Sequence, residues 1–167
     1  MPSRRVRPLW GLMFVGLGLA VAAALWRPAG AADAPAKPAQ IKTEVVRWDD
    51  AQQRQADWGQ MRTYFRGETG GTKNVLTAVA VVEPGKAVHK AHRHAEEEYL
   101  LVVEGSGTWS VGGKETPAQR GDILFAEPWV FHGLTNTGDR PLIFAVIRYA
   151  AKGWQPPPRP DDRPDEQ

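Results

Sequence analysis

The sequence predicts an all-β protein, either a sandwich or a barrel of short strands. Runs of β-branched and aromatic residues recur between residues 61 and 150, and the run NVLTAVAVV at 74–82 is the strongest of them. Turn-forming residues separate these runs roughly every 8 to 12 residues, a spacing typical of sandwiches and barrels. No helical repeat of apolar residues competes within this region. We therefore expect one β domain over residues 61–150.

The individual strands are predicted from the apolar runs and the breaks between them. The segments EPG at 83–85 and GSG at 105–107 are turns, and GG at 112–113 is the two-residue turn of a hairpin. The polar loop GETGGT at 67–72 and the turn NTGD at 136–139 separate further runs. The predicted strands are 61–65, 74–82, 86–94, 97–103, 108–111, 123–126, 130–134 and 141–149.

Residues 1–32 are predicted to be a signal peptide or a membrane anchor. Three arginines give a positively charged start, residues 9–26 form an apolar stretch, and an A-x-A cleavage site follows at 29–31. If the segment stays uncleaved, residues 9–26 are long enough to anchor the chain in a bilayer. The arginines place the N-terminal end in the cytoplasm in either case. The domain is therefore expected to be periplasmic or secreted, or anchored in the inner membrane and facing the periplasm.

Two further segments flank the predicted β domain. Residues 33–60 are predicted to be a linker rich in alanine and proline, followed by a short helix over 51–57 that Asp49 or Asp50 can cap. Residues 151–167 are polar and rich in proline, so we expect a disordered, solvated tail there.

Composition excludes several classes of site. The chain has no cysteine, which rules out thiolate metal sites, disulfides and cysteine nucleophiles. The formal net charge is +2, but four arginines and no acid precede Asp33, so the remainder of the chain carries −2. The basic character thus belongs to the predicted leader. We expect no nucleic-acid partner for the domain.

Three of the four histidines lie close together in the sequence and are followed by a run of glutamates. His92 and His94 are two residues apart, so in a strand their side chains point to the same face. Glu98 has the same parity, and His132 arrives from another predicted strand. Three imidazoles and one carboxylate suit a divalent transition metal such as Fe, Mn, Ni, Cu or Zn. They also leave coordination positions open for a small molecule.

Alternation alone does not decide which acid joins the imidazoles. Glu96 has the same parity as His92 and His94, so it is permitted alongside Glu98. His89 has the opposite parity and is expected to point away, as a surface residue of a loop.

Two motifs resemble those of the cupin superfamily, and in particular a small single-domain cupin of the type-2 kind. The first comprises Gly85, His92, His94, Glu98 and Gly105. The second comprises Gly121, Pro128, His132 and Asn136. The resemblance implies a double-stranded β-helix, or jelly-roll barrel, over residues 61–150, with a metal inside it. It also implies that the ligands are His92, His94, Glu98 and His132, which favours Glu98 over Glu96.

The resemblance further implies a metal-dependent enzyme that acts on a small oxygen-rich organic molecule. Dioxygenases, decarboxylases, lyases and isomerases are all compatible with it. The alternative is a non-catalytic module that binds a metal or a small molecule, since fold alone does not decide function. Cupins commonly dimerise, so a homodimer is expected.

Substrate-binding residues are predicted from side-chain chemistry alone. Tyr99 and Trp129 can line the barrel with aromatic rings. Arg120 and Arg148 can bind a substrate carboxylate, and Arg148 is the one we select.

Overall fold

The computed structural model describes residues 38–161, which form nine β-strands and no α-helix. In chain order they are β1 (Gln52–Ala56), β2 (Gly59–Gly67), β3 (Thr72–Val82), β4 (Glu97–Glu104), β5 (Ser106–Val111), β6 (Lys114–Gln119), β7 (Ile123–Ala126), β8 (His132–Thr135) and β9 (Leu142–Ala151). Within this part of the chain, no helix has the length and apolar character needed to cross a membrane. The predicted signal peptide or anchor at 1–32 lies outside the described residues, as do residues 162–167.

The strands form two antiparallel sheets, which confirms the predicted all-β fold. The larger sheet has the order β1-β2-β3-β9-β4-β7, and the smaller has the order β6-β5-β8. The predicted turn at 112–113 is confirmed, because Val111 pairs with Lys114 across it. β6 follows this turn although the sequence did not predict a strand there. It contains Pro117, which is tolerated because β6 is the edge strand of its sheet.

The core lies between the sheets, on one face of the central strands. Even-numbered residues point inward over 78–82 of β3, 98–102 of β4 and 142–150 of β9, as alternation along a strand requires. The buried apolar residues of these three strands are Ala78, Ala80, Val82, Leu100, Val102, Leu142, Phe144 and Val146. Glu98 and His132 lie in the same interior, at 5% and 1% exposure. Burying such polar groups is costly unless they have partners, so this end of the core needs partners for these two side chains.

The outer face of the larger sheet keeps an apolar surface. Leu101, Ile123, Phe125 and Ile147 are all exposed there. Leu101 pairs with Ile123 across β4 and β7, so these side chains are neighbours. The predicted homodimer stays a prediction.

The predicted helix over 51–57 is wrong, because residues 52–56 form β1. This strand pairs with β2 from Gln52 opposite Thr63 to Ala56 opposite Gly59. A helix of two turns is marginal by itself, whereas the hairpin supplies a ladder of backbone partners. Gly59 begins β2. It has φ 132°, and a Cβ there would lie 2.1 Å from the carbonyl oxygen of Val81.

The prediction of a disordered tail needs correction for residues 151–161. β9 continues through Ala151, and the proline-rich segment beyond it contacts the β domain. Trp129 Nε1 donates a hydrogen bond to the carbonyl of Pro157 at 2.7 Å, and Arg93 Nη2 donates to that of Pro160 at 3.4 Å. Proline-rich chain makes no internal hydrogen bonds, so its carbonyls are free to accept such donors.

Candidate metal centre

His92 and His94 lie in the connection between β3 and β4, where they are not part of a named strand. The predicted strand over 86–94 is therefore wrong. Instead, His92 forms an isolated bridge with His132, the first residue of β8. Their backbones exchange two hydrogen bonds, of 3.0 and 2.9 Å. Gly133 permits this approach, since a Cβ there would lie 3.0 Å from Ala91 Cα.

The three imidazoles converge although the expected strand is absent. The candidate ligand nitrogens of His92, His94 and His132 all lie within 4.8 Å of one another. The ring centroids are separated by 5.2 Å for His92 and His94, 4.8 Å for His92 and His132, and 5.0 Å for His94 and His132. One ion can therefore contact all three rings.

Backbone carbonyls fix the orientation of two of these rings. Nδ1 of His94 donates to the carbonyl of Glu96 at 2.9 Å, and Nδ1 of His132 donates to that of Val130 at 2.9 Å. A neutral imidazole that donates from Nδ1 keeps a lone pair on Nε2. Such partners on the far nitrogen are what metal-binding histidines usually have.

The nitrogens that face the centre have no hydrogen-bond partner. His92 Nδ1, His94 Nε2 and His132 Nε2 are all buried and unsatisfied. A buried polar atom without a partner costs roughly 1–3 kcal/mol, and three of them meet here. A divalent ion would satisfy all three lone pairs at once, so these residues fit a metal.

Glu98 closes one side of the cluster. Its carboxylate oxygens lie 3.3 Å from His94 Nε2 and 3.4 Å from His132 Nε2. A carboxylate oxygen and an imidazole lone pair repel each other unless a proton or a metal ion lies between them. This placement of Glu98 therefore also favours a cation at the centre.

Glu96 takes a different place. One of its carboxylate oxygens accepts a hydrogen bond from Asn74 Nδ2 at 2.8 Å, and the other lies 3.6 Å from His94 Nδ1. The carboxylate of Glu96 is thus on the outer side of the His94 ring. Asn74, with a φ of 56°, was not singled out from the sequence, because only the fold brings it to Glu96.

A small cavity of about 70 Å³ adjoins the centre. Its walls include His92, Glu98 and His132, and its apolar lining residues are Met61, Leu76, Val88, Leu100, Leu134, Phe144 and Val146. A buried water needs about 10–15 Å³ on this scale, so the cavity has room for only a few water-sized groups. It suits a small molecule and not a polymer.

His89 does not point away as predicted. Its side chain is exposed, but its ring centroid lies 3.9 Å from that of His92, and it lines the cavity. The parity argument failed because this segment is a loop, in which side chains do not alternate.

The residues considered for substrate binding lie in four different places. Arg148 lines the cavity. Tyr99 does not, because it has the outward parity of β4 and its ring lies 4.9 Å from that of the exposed Phe125. Trp129 lies in a separate surface cleft, where it binds the proline-rich segment. Arg120 is exposed and lines another cleft.

A family model that describes the cupin domain matches residues 78–148. This stretch runs from within β3 to within β9 and contains every residue of the centre. Residues 78–148 form a cupin domain.

Relatives of known name are similar to part of this chain. A gentisate 1,2-dioxygenase from a Streptomyces species is 35% identical over 79 residues, which are 47% of this chain and 22% of the relative. An oxalate-binding protein from Thermotoga maritima is 30% identical over 72 residues, which are 43% of this chain and 60% of the relative. The chain therefore spans less than a quarter of the length of the dioxygenase.

Solved structures agree on the fold. An RmlC-like cupin from Shewanella frigidimarina superimposes with a TM-score of 0.54 at 18% identity, covering 67% of this chain and 95% of that one. At this identity the likeness concerns the fold alone.

Burial and mutual contacts set the protonation of the cupin centre. Burial would raise the pKa of Glu98, but its contacts with His132 and His94 outweigh burial and lower the pKa to about 2. Burial would lower the pKa of His132, but the Glu98 carboxylate and the Val130 carbonyl raise it above 6.5. Burial, aided by the neighbouring histidines, lowers the pKa of His92 to about 4.

These pKa values predict how the metal-free protein titrates. By NMR of the ring protons, the pKa of His132 should lie above that of an ordinary histidine, whereas His92 should stay neutral until about pH 4. Because a metal needs neutral imidazole, its affinity should fall as the pH drops through the pKa of His132. Glu98→Gln should lower the pKa of His132, because the carboxylate that raises this pKa is removed while the burial that lowers it remains. A His132 that titrates below pH 6.5 in the unmodified, metal-free protein contradicts this account.

Proposed function

We propose that this chain is an exported, metal-dependent cupin enzyme that acts on a small oxygen-rich organic molecule, by dioxygenase, decarboxylase, lyase or isomerase chemistry. The observation that carries the proposal is the convergence of three buried, unsatisfied imidazole nitrogens beside a small apolar cavity. Export is proposed from the charged start, apolar stretch and cleavage site of residues 1–32.

The proposed ligands of the metal are His92, His94, His132 and Glu98. Neutral nitrogen together with hard oxygen suits Fe, Mn, Ni, Cu or Zn. These four ligands would leave room on the ion for a small molecule to bind. When bound, the ion would polarise a substrate oxygen as a Lewis acid or take part in redox chemistry.

The chain's own residues give this centre its selectivity. Glu98 is proposed to balance part of the charge of the ion, and the carbonyls of Glu96 and Val130 hold two rings in the ligating orientation. The apolar walls exclude bulk water, which strengthens electrostatic interactions inside the cavity. The small volume restricts the substrate to a few heavy atoms beyond those that contact the metal.

The named relatives support small oxygen-rich ligands. One is a dioxygenase of gentisate and another binds oxalate. The chain covers only part of each, so neither ligand transfers directly. They provide the first compounds to test.

A second function, binding without catalysis, is favoured by the composition of the cavity. Apart from the proposed ligands, His89 and Arg148 are the titratable side chains that line it within the described part of the chain. Because few groups in the cavity can transfer a proton, the site is also suited to binding a molecule without changing it.

The test is to load purified protein with Fe²⁺, Mn²⁺, Ni²⁺, Cu²⁺ or Zn²⁺, and to measure metal content by elemental analysis. The loaded protein is then incubated with gentisate and oxalate while oxygen consumption and products are followed. Product formation supports the enzyme, and a ligand that binds and returns unchanged supports the binding module. A chain that retains none of these metals contradicts both functions.

The acidic ligand can be identified with a pair of matched variants. Glu98→Gln should lower metal affinity about tenfold to a hundredfold, since it removes the carboxylate that faces His94 and His132. Glu96→Gln should have a smaller effect, because its carboxylate lies on the outer side of His94. Competition with a coloured chelator gives both values. A larger loss in Glu96→Gln than in Glu98→Gln would show that the acids are assigned the wrong way round.

A further inference from the structure

Arg148 is half-buried, and its positive charge lies beside the candidate metal centre. It continues the inward-facing series of β9 after Phe144 and Val146, and it lines the same cavity as His92, Glu98 and His132. Every other residue of this inward series in β9 is apolar. A charge at such a position is costly unless something compensates it.

Among the side chains of residues 38–161, none pairs with the charge of Arg148. Within residues 38–161 its guanidinium makes no hydrogen bond and no ion pair, and its Nε is buried without a partner. Glu98 lies directly opposite it on β4, where opposite charges commonly pair. The Glu98 carboxylate contacts His94 and His132 instead.

Arg148 also faces a second space. It lines an open surface cleft whose other lining residues include Arg66, Asn74 and Glu96. The same side chain thus borders both the inner cavity and a cleft open to solvent. Arg66 is exposed and adds a second positive charge at this cleft, which favours the approach of an anion.

We propose that Arg148 binds a carboxylate of the substrate, so that the molecule taken up at this centre is a small carboxylic acid with a second oxygen group directed to the metal. This inference rests on the proposed metal site and specifies its substrate class. The guanidinium presents two parallel donors that match the geometry of a carboxylate. The carboxylate of the substrate would supply the ion-pair partner that residues 38–161 do not provide.

The cavity limits the acid to a small one. With room for only a few water-sized groups, it can hold a two- or three-carbon acid in contact with both the metal and Arg148. Arg148 therefore acts as a specificity-determining residue that separates anionic from neutral ligands of the same shape.

Oxalate, oxamate and oxamide test this inference, because they have nearly the same shape and carry two, one and no negative charges. Their affinities for the Co²⁺-loaded full chain are measured from the change in its visible spectrum, and gel filtration with elemental analysis checks that the metal stays bound. Unmodified protein should bind oxalate most tightly and oxamide most weakly. Arg148→Gln should weaken oxalate binding about tenfold to a hundredfold and oxamide binding much less.

Two further variants control the experiment. Arg120→Gln removes the same charge from an exposed position outside the cavity and should leave all three affinities within about twofold, since surface charges act weakly. Arg148→Lys keeps the charge but loses the paired donors, so its affinity for oxalate should be intermediate. Circular dichroism and Co²⁺ binding show whether each variant is folded.

The outcomes separate this inference from the proposed function. A chain that does not bind Co²⁺ contradicts the metal site itself. If the Co²⁺-loaded chain binds oxamide as tightly as oxalate, the role of Arg148 is overturned and the metal site stands. The same holds if the loaded chain binds none of the three compounds. The role of Arg148 is also overturned if the folded variant Arg148→Gln and the unmodified protein bind oxalate with equal affinity. If Arg148→Gln does not fold, Arg148→Lys gives the decisive comparison, because it keeps the charge but loses the paired donors, and an oxalate affinity equal to that of the unmodified protein overturns the role of Arg148.

Discussion

His132→Ala should lower the affinity of the protein for Co²⁺ or Zn²⁺ by at least about a hundredfold. His132 is the most buried member of the cluster, at 1% exposure, and it is fixed by Val130 on one side and His92 on the other. Its removal leaves His92 and His94 with a gap that the rigid β8 backbone cannot close. Competition with a chelator at pH 8 measures the affinity while His92, with a pKa of about 4, is neutral.

His89→Ala is the matched control for this variant. It removes an imidazole close to His92 but outside the cluster of converging nitrogens. Its metal affinity should stay within a fewfold of the unmodified protein. If His89→Ala loses metal as severely as His132→Ala, then His89 is a ligand and the composition of the centre must be revised.

Asn136→Ala should lower the free energy of unfolding by about 2–4 kcal/mol. The side chain of Asn136 is fully buried and bonds three backbone groups. Its Nδ2 donates to the carbonyls of Val82 and Arg140, each at 2.8 Å, and its Oδ1 accepts from the amide of Gly138 at 3.0 Å. The variant leaves these groups unsatisfied in the interior. Urea denaturation followed by circular dichroism gives the change.

Asn136 also connects the fold to the site. Its backbone carbonyl accepts from Gly85, and its amide donates to the carbonyl of Lys86, just before the loop that carries His92 and His94. Thr137→Ala is a suitable control, since its hydroxyl bonds only the exposed Thr108 hydroxyl and the loss should stay below about 1 kcal/mol. A loss of under 1 kcal/mol in Asn136→Ala would mean that water replaces its three bonds.

Much of the site was predictable because the ligands carry recognisable chemistry at recognisable spacing. His92, His94 and His132 were identified as a group from residue type and position, and the structure brings their nitrogens within 4.8 Å. Sequence alternation left Glu96 and Glu98 equivalent. Only the fold separates them, since it directs Glu98 into the centre and Glu96 to the outer side of His94.

Other positions were decided by contacts that the sequence does not show. Tyr99 and Trp129 were placed from residue chemistry, and each contacts a distant part of the chain, whereas His89 was placed from strand parity in a segment that folds as a loop. Tyr99 meets Phe125, Trp129 meets Pro157, and His89 meets His92. The helix over 51–57 was predicted from local capping signals. In the structure these residues pair with β2, which gives them more backbone hydrogen bonds than a short helix could form.

The sequence by itself determined the all-β class and the set of candidate metal ligands, because alternating apolar residues, turn residues and imidazoles act through local and intrinsic properties. Only the tertiary structure decided how those ligands meet. The segment that carries His92 and His94 does not alternate as a strand, and its side chains take their direction from the bridge between His92 and His132, 40 residues apart in the chain. Arg148 was selected from the sequence, but only the fold showed that it has no partner among residues 38–161, because that depends on tertiary contacts.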